Sequence, residues 1–184
     1  NEIKGLGTGT IRMGTVSSVS AHWLPGVIKE FQKEYPKVEF VIHQGDYSSI
    51  QEWIKNGTVD FGFINPAASK DIHTEEIKRG EMVAVLPENH QLAKEKILTL
   101  DQLAEEPFIL LEEGNYSEPL EAFRKAGLRP DIKFTIHDDY SIMAMVEAGL
   151  GISMLAELVL NKTNYKIAVR HTEPPVYRTL SIGY

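Results

Sequence analysis

Two stretches of this chain each run strand, helix, strand, helix, strand, and this repetition restricts the fold more than any other feature. In the first, Gly9 to Val16 (GTIRMGTV) alternates with Ile11 and Met13 on one face, a strand leading into a turn with the polar run Ser17, Ser18, Ser20. Leu24, Val27, Ile28 and Phe31 then fall at i, i+3, i+4 and i+7, which predicts a helix with that stripe turned inward. Pro25 suits its first turn, and Tyr35-Pro36 stops it. Val38, Phe40 and Ile42 alternate as a second strand. The turn Gln44-Gly45-Asp46 follows, and Ser48 with Gln51 has the form of a capping box for a helix that buries Ile50, Trp53 and Ile54 and ends at Gly57. Val59 to Ile64 (VDFGFI) reads as the third strand.

After a middle stretch, Ile77 to Pro87, read as one or two strands, Thr99 caps a short helix that Pro107 stops. The pattern then restarts. Phe108 to Leu111 is a strand, Ser117 to Ala126 a helix ended by Gly127, and Ile132, Phe134 and Ile136 a strand. A helix from Asp139 to Ala148 ends at Gly149 and passes through Leu150-Gly151 into the strand Ile152 to Leu155. Tyr165 to Val169 and Thr179 to Gly183 offer two more strands. Alternating strands and helices imply parallel or mixed sheets covered on both faces, so two units in series give two sheets. Ligands of open α/β sheets bind beyond the carboxyl ends of the strands. Two such ends facing one another would form a binding cleft.

Charge narrows the function. The chain has 184 residues, 26 acidic and 19 basic side chains and a net charge of -7, so it repels a phosphate backbone and is not expected to bind nucleic acid unaided. It contains no Cys, which removes disulfides, zinc ribbons, iron–sulfur clusters and thiol nucleophiles. Asn1 to Thr10 lacks the charged and apolar regions of a secretory leader, and the apolar run Met82 to Leu86 is far short of a membrane span. These readings suit a cytoplasmic chain or a mature one already trimmed.

Several chemistries find no motif. No Gly-x-Gly-x-x-Gly follows a strand, so no nucleotide cofactor is expected. The six histidines (His22, His43, His73, His90, His137, His171) never stand three or four apart, and no metal site is expected. No Ser occupies a Gly-x-Ser-x-Gly elbow. What remains is a set of small polar residues at strand-to-helix turns: Ser17, Ser18 and Ser20; Gln44, Asp46 and Ser48; Asn65 with Pro66; Asn115 and Ser117; and His137. Such residues cap helices for structural reasons alone. Their shared place at the ends of parallel strands also suits them to contact a small anion or polar ligand, because the first helical N–H groups lack partners and carry positive charge.

The segment Ile77 to Leu111 (IKRGEMVAVLPENHQLAKEKILTLDQLAEEPFILL) resembles LysR-type transcriptional regulators, with Pro87 ending a hinge strand, then His90-Gln91-Leu92-Ala93 and the helix Leu100 to Ala104. Thr10 to Gly14, Gly57 to Ile64 and Met145 to Leu155 (MVEAGLGISML) are similar to three further family segments, in order along the chain. Gln91 and Ala156 stand where the family usually has Pro. The resemblance implies an effector-binding domain of α/β class: a two-lobed type 2 periplasmic-binding-protein-like fold, each lobe a mixed sheet flanked by helices, joined by two crossover strands near Met82 and Ile167. Lobe I would be 1–78 plus 157–184, and lobe II 79–156. It further implies a small-molecule effector, such as a small carboxylate or polar metabolite, held in the cleft between the lobes. Carried over position by position, its contacts fall on Ser17, Ser18, Ser20, Gly45, Asp46, Ser48, Asn65, Pro66, Asn115, Tyr116, Ser117 and His137. The remaining implications are a homodimer or homotetramer, with DNA reached only through an N-terminal helix-turn-helix domain absent from this chain, and no enzymatic activity. Dimer contacts would come from His22, Lys29, Gln32 and Lys33 on the first helix. The alternative reading is a free-standing solute-binding protein of a transporter.

Overall fold

The first strand–helix run folds as its spacing predicts, with one addition. In the computed structural model, which describes residues 7–184, β1 (Gly9–Thr15) pairs in parallel with β2 (Val38–Gln44) from Gly9↔Val38 to Thr15↔Gln44 and with β3 (Phe61–Ile64) at Met13↔Phe61. Residues 1–6, part of the stretch expected to lack a leader, lie outside the described residues. The polar run expected as a turn is itself a helix, α1 (Ser17–His22), followed by α2 (Leu24–Glu34). Val16 and Val19, at 3% and 0% exposure, anchor α1 into the core, which overrides the serines' preference for turns.

Helix α3 (Tyr47–Lys55) is capped by Asp46, whose Oδ1 accepts from the Ser49 N–H at 2.8 Å, and not by the expected Ser48–Gln51 box. Gln51 accepts from the Lys70 N–H instead. This helix lies close on the sheet because Gly62 has no side chain: a Cβ there would stand 2.6 Å from Ile50 Cγ2. β3 leads through a short 3-10 turn (Pro66–Ala68) to β4 (Thr74–Pro87), and the end of β10 (Val176–Gly183) pairs antiparallel with β3 at Ser181↔Ile64.

The stripe of α2 has the predicted spacing but is not buried as expected. Leu24 is 2% exposed, while Val27 is 43% exposed. With Phe31, Phe40, Phe63 and Ile182 these residues line an apolar groove of about 400 Å³.

Among the described residues, unit 1 comprises those up to Lys78 with Thr179–Tyr184, and unit 2 is Arg79–Arg178. In unit 2, β4 pairs antiparallel with β8 (Ser153–Ala156) and β9 (Ile167–Thr172), and β5 (Ile97–Leu98) pairs in parallel with β9. β6 (Pro107–Leu111) and β7 (Asp131–Ile136) are parallel, and a bridge from Phe108 to Ile152 brings in β8. The helices are α4 (Leu100–Ala104), α5 (Glu118–Lys125) and α6 (Asp139–Glu147). Thr99 and Gln102 form a reciprocal capping box on α4. His90 accepts from the Leu92 N–H and so caps the turn Gln91–Lys94.

The segment 157–178, expected in lobe I, packs in unit 2. β9 pairs with β4 from Ala84↔Arg170 to Pro87↔Ile167, and Val159, at 0% exposure, joins the core of Ile109, Ile142, Val146 and Leu155. The second crossing therefore falls in β10, at Arg178–Thr179, and not near Ile167.

Candidate functional site

The parallel register of β1, β2 and β3 brings their carboxyl ends together in unit 1. Thr15 stands beside Gln44, and the Gly45 N–H donates to the Thr15 carbonyl at 3.0 Å. The segments holding Ser17, Ser18 and Ser20, Gly45, Asp46 and Ser48, and Asn65 and Pro66 therefore share one end of the sheet, the three serines and Ser48 within the helices that start there. Ser20 Oγ donates to Gln44 Oε1 at 2.6 Å, tying α1 to the end of β2. Gly45 is dictated by packing, since a Cβ would stand 2.7 Å from Trp53 Cη2.

Polarity is concentrated here and partly committed. Thr15, Ser18 and Asn65 are buried at 0%, 3% and 5% exposure. Asn65 Oδ1 accepts from the Ala67 N–H at 2.9 Å, so Asn65 and Asp46 both serve as helix caps. Val16, the N-cap of α1, offers no side-chain bond. No Arg or Lys stands among these residues, and Asp46 is the one ionisable group in the set.

In unit 2 the corresponding turns follow β6 and β7, where the Glu112 N–H donates to the Ile136 carbonyl at 2.8 Å. Ser117 Oγ caps α5 through the Leu120 N–H at 3.2 Å. Asn115 and His137 are exposed. Next to His137, Asp138 caps α6 through the Tyr140 and Ser141 N–H groups. Tyr116 lines a cavity of about 400 Å³ with Glu118, Lys125, Pro174 and Tyr177. Burial, with the Glu118 and Glu121 charges adding, pushes its phenol pKa up and keeps it a neutral donor.

Sequence reasoning missed two buried acids, Glu118 and Asp139, at 5% and 4% exposure. Each is the first residue of its helix, where the positive end of the dipole favours a carboxylate. An acid directly after a capping residue was the available signal. Among the described residues no group of three or more His, Asp or Glu is arranged to hold a metal ion.

Residues 4–184 match the family described as the LysR substrate binding domain. The chain is 32% identical over 182 residues to the uncharacterized HTH-type transcriptional regulator YvbU of Bacillus subtilis (strain 168), covering 98% of this chain but only 62% of that relative. The cofactor-binding domain of the Cbl transcriptional regulator superposes with a TM-score of 0.85 at 26% identity, covering 96% of this chain and 80% of that one. The effector binding domain of QuiR, solved in complex with shikimate, gives a TM-score of 0.86 at 24% identity over 96% of this chain and 87% of its own, a likeness of fold.

Proposed function

The chain belongs to the LysR substrate-binding domain family, and on that footing we propose that it is the ligand-sensing regulatory domain of a transcriptional regulator, binding a small-molecule effector at the carboxyl-end turns of its two units. The observation that carries this reading is the match over residues 4–184 combined with the gathering of Ser17, Ser18, Ser20, Asp46, Ser48 and Asn65 at one sheet end. Within unit 1 the polar groups are hydroxyls and amides with one carboxylate that already caps a helix, which suits an uncharged or anionic polar metabolite. Asn115, Tyr116, Ser117 and His137 are the contacts proposed from unit 2. Shikimate, the ligand of the QuiR domain, is a fitting first probe for a polyhydroxylated carboxylate.

Since the chain spans 62% of the length of YvbU, the rest of the mechanism belongs to the longer protein. There, effector binding would control transcription through an N-terminal helix-turn-helix domain in a cytoplasmic homodimer or homotetramer, without catalysis. No observation favours a transporter's solute-binding protein, because the relative matched over nearly the whole chain is a transcriptional regulator. Isothermal titration calorimetry with a panel of small carboxylates and polar metabolites tests the site. Replacing Ser17 and Ser18 together by Ala removes two hydroxyls worth about 0.5–1.5 kcal/mol each and should weaken binding roughly ten-fold or more. Unchanged affinity for a ligand that binds the wild type would overturn the assignment.

A further inference from the structure

In unit 2 the ends of β8 and β9 flank the middle of β4 at a cluster of charges. β8 pairs with β4 through Ala156 and Met82, and β4 pairs with β9 through Ala84 and Arg170. One step past the Met82–Ala156 pair, Glu81 on β4 stands across from Glu157, the residue that follows β8. On the other side of β4, His171 on β9 is diagonal to Glu81. Two carboxylates directly opposed across a ladder repel each other. His171 faces both: its Nδ1 is 2.5 Å from Glu81 Oε2, and its Nε2 is 3.5 Å from Glu157 Oε2.

A neutral imidazole has one N–H and one lone pair, so it can satisfy only one of the two acids and must aim its lone pair at the other. The imidazolium serves both. We propose that Glu81, His171 and Glu157 form a proton-operated clasp across β8, β4 and β9, closed while His171 is protonated and released when it loses its proton.

Two nearby cations are engaged with other partners. Arg170 directs its guanidinium to the Ala93, Glu95 and Val169 carbonyls, and the Arg79 guanidinium lies 4.1 Å from the centre of the Tyr177 ring. β5 presents apolar Ile97 opposite His171, with Lys96 just before that strand, and Glu173 follows β9 as a further acid. Release therefore takes away the cation that His171 holds between the two opposed carboxylates.

The direction of the pH response follows from the same contacts. The hydrogen bond to Glu81 raises the His171 pKa above its ordinary value, outweighing the opposing effect of burial, and the charges of Glu81 and Glu157 add to the rise. A pKa raised by folding gives stability that is fully present below the ordinary histidine value of about 6.5 and is lost as pH climbs through the folded value.

The test is an NMR pH titration of the histidine rings in the wild type, Glu81→Gln and Glu157→Gln, with melting curves of the wild type and His171→Gln at about pH 6 and about pH 9. His171 should titrate above about 6.5 in the wild type, with both ring nitrogens protonated below its midpoint. Glu81→Gln should return the midpoint most of the way to the ordinary value, and Glu157→Gln part of the way. The melting temperature of the wild type should exceed that of His171→Gln at the lower pH and match it at the higher. A wild-type midpoint at or below the ordinary value overturns the clasp, as does a melting gap that is the same at both pH values. If His171→Gln does not fold, the wild-type titration decides alone.

Discussion

Replacing Gly151 by alanine tests whether the turn between α6 and β8 is set by close packing. A Cβ at Gly151 would stand 2.6 Å from the Pro107 carbonyl oxygen and 3.2 Å from its carbon. These are backbone atoms at the start of β6, so no flexible side chain can swing aside. The same spot is held by three short bonds: Ile152 N–H to the Pro107 carbonyl at 2.8 Å, Ile109 N–H to the Ile152 carbonyl at 2.8 Å, and Ser153 Oγ to the Ile109 carbonyl at 2.6 Å. Overpacking of this kind costs about 1–3 kcal/mol, and a weakened backbone bond adds roughly 0.5–1.5 kcal/mol. Against this, the loss of glycine's freedom in the unfolded chain returns about 0.4–1 kcal/mol. The net is a destabilisation of about 2 kcal/mol, which for a chain of this length lowers the melting temperature by roughly 4–8 °C. Gly149 provides the contrast. It has open space around it but a φ of +83°, so alanine there should cost only the left-handed backbone penalty of about 1–2 kcal/mol. Circular dichroism melts of the two variants decide the matter. A Gly151→Ala melt within a degree of the wild type would refute the packing argument, as would a Gly149→Ala loss clearly larger than that of Gly151→Ala.

Thr99→Ala removes the capping box of α4, whose Leu103 is fully buried, and should cost about 1 kcal/mol, seen as a lowered melting temperature that Thr99→Ser largely restores. Light scattering at tens of micromolar should show a dimer or larger species, and a strictly monomeric chain would count against the proposed homo-oligomer. With a net charge of -7, this chain alone should give no specific retention of promoter DNA in a low-salt gel shift; specific retention would refute a separate DNA-binding module.

Local signals were legible where a single local interaction decides the outcome. Thr99 with Gln102, Ser117, and Gly127 at a φ of +72° all act at helix ends as their residue types suggest. The Ser48–Gln51 pattern misled because two candidate caps lie two residues apart, and Asp46 reaches the Ser49 N–H while Gln51 is drawn away to Lys70. The place of 157–178 was hidden for a different reason. Periodicity marks Ile167 as part of a strand, but it cannot reveal that the partner is β4, some eighty residues earlier, and the partner determines which unit the segment joins.

The same distinction between face and partner governs α2 and the candidate site. The spacing of Leu24, Val27, Ile28 and Phe31 identifies the apolar face of α2 correctly, yet a period says nothing of whether another element covers that face, and 43% of Val27 stays in contact with water. For the polar turns the ambiguity lies between capping and binding. Asp46, Asn65 and Ser117 each place a side-chain oxygen on a helical N–H, so removing any of them perturbs a helix end before it perturbs a ligand. Ser17 and Ser18 sit inside the first turn of α1, beyond its N-cap Val16, where a side chain is not needed to start the helix. Substitution at these two serines therefore leaves the side-chain N-caps in place, whereas substitution at Asp46 removes one.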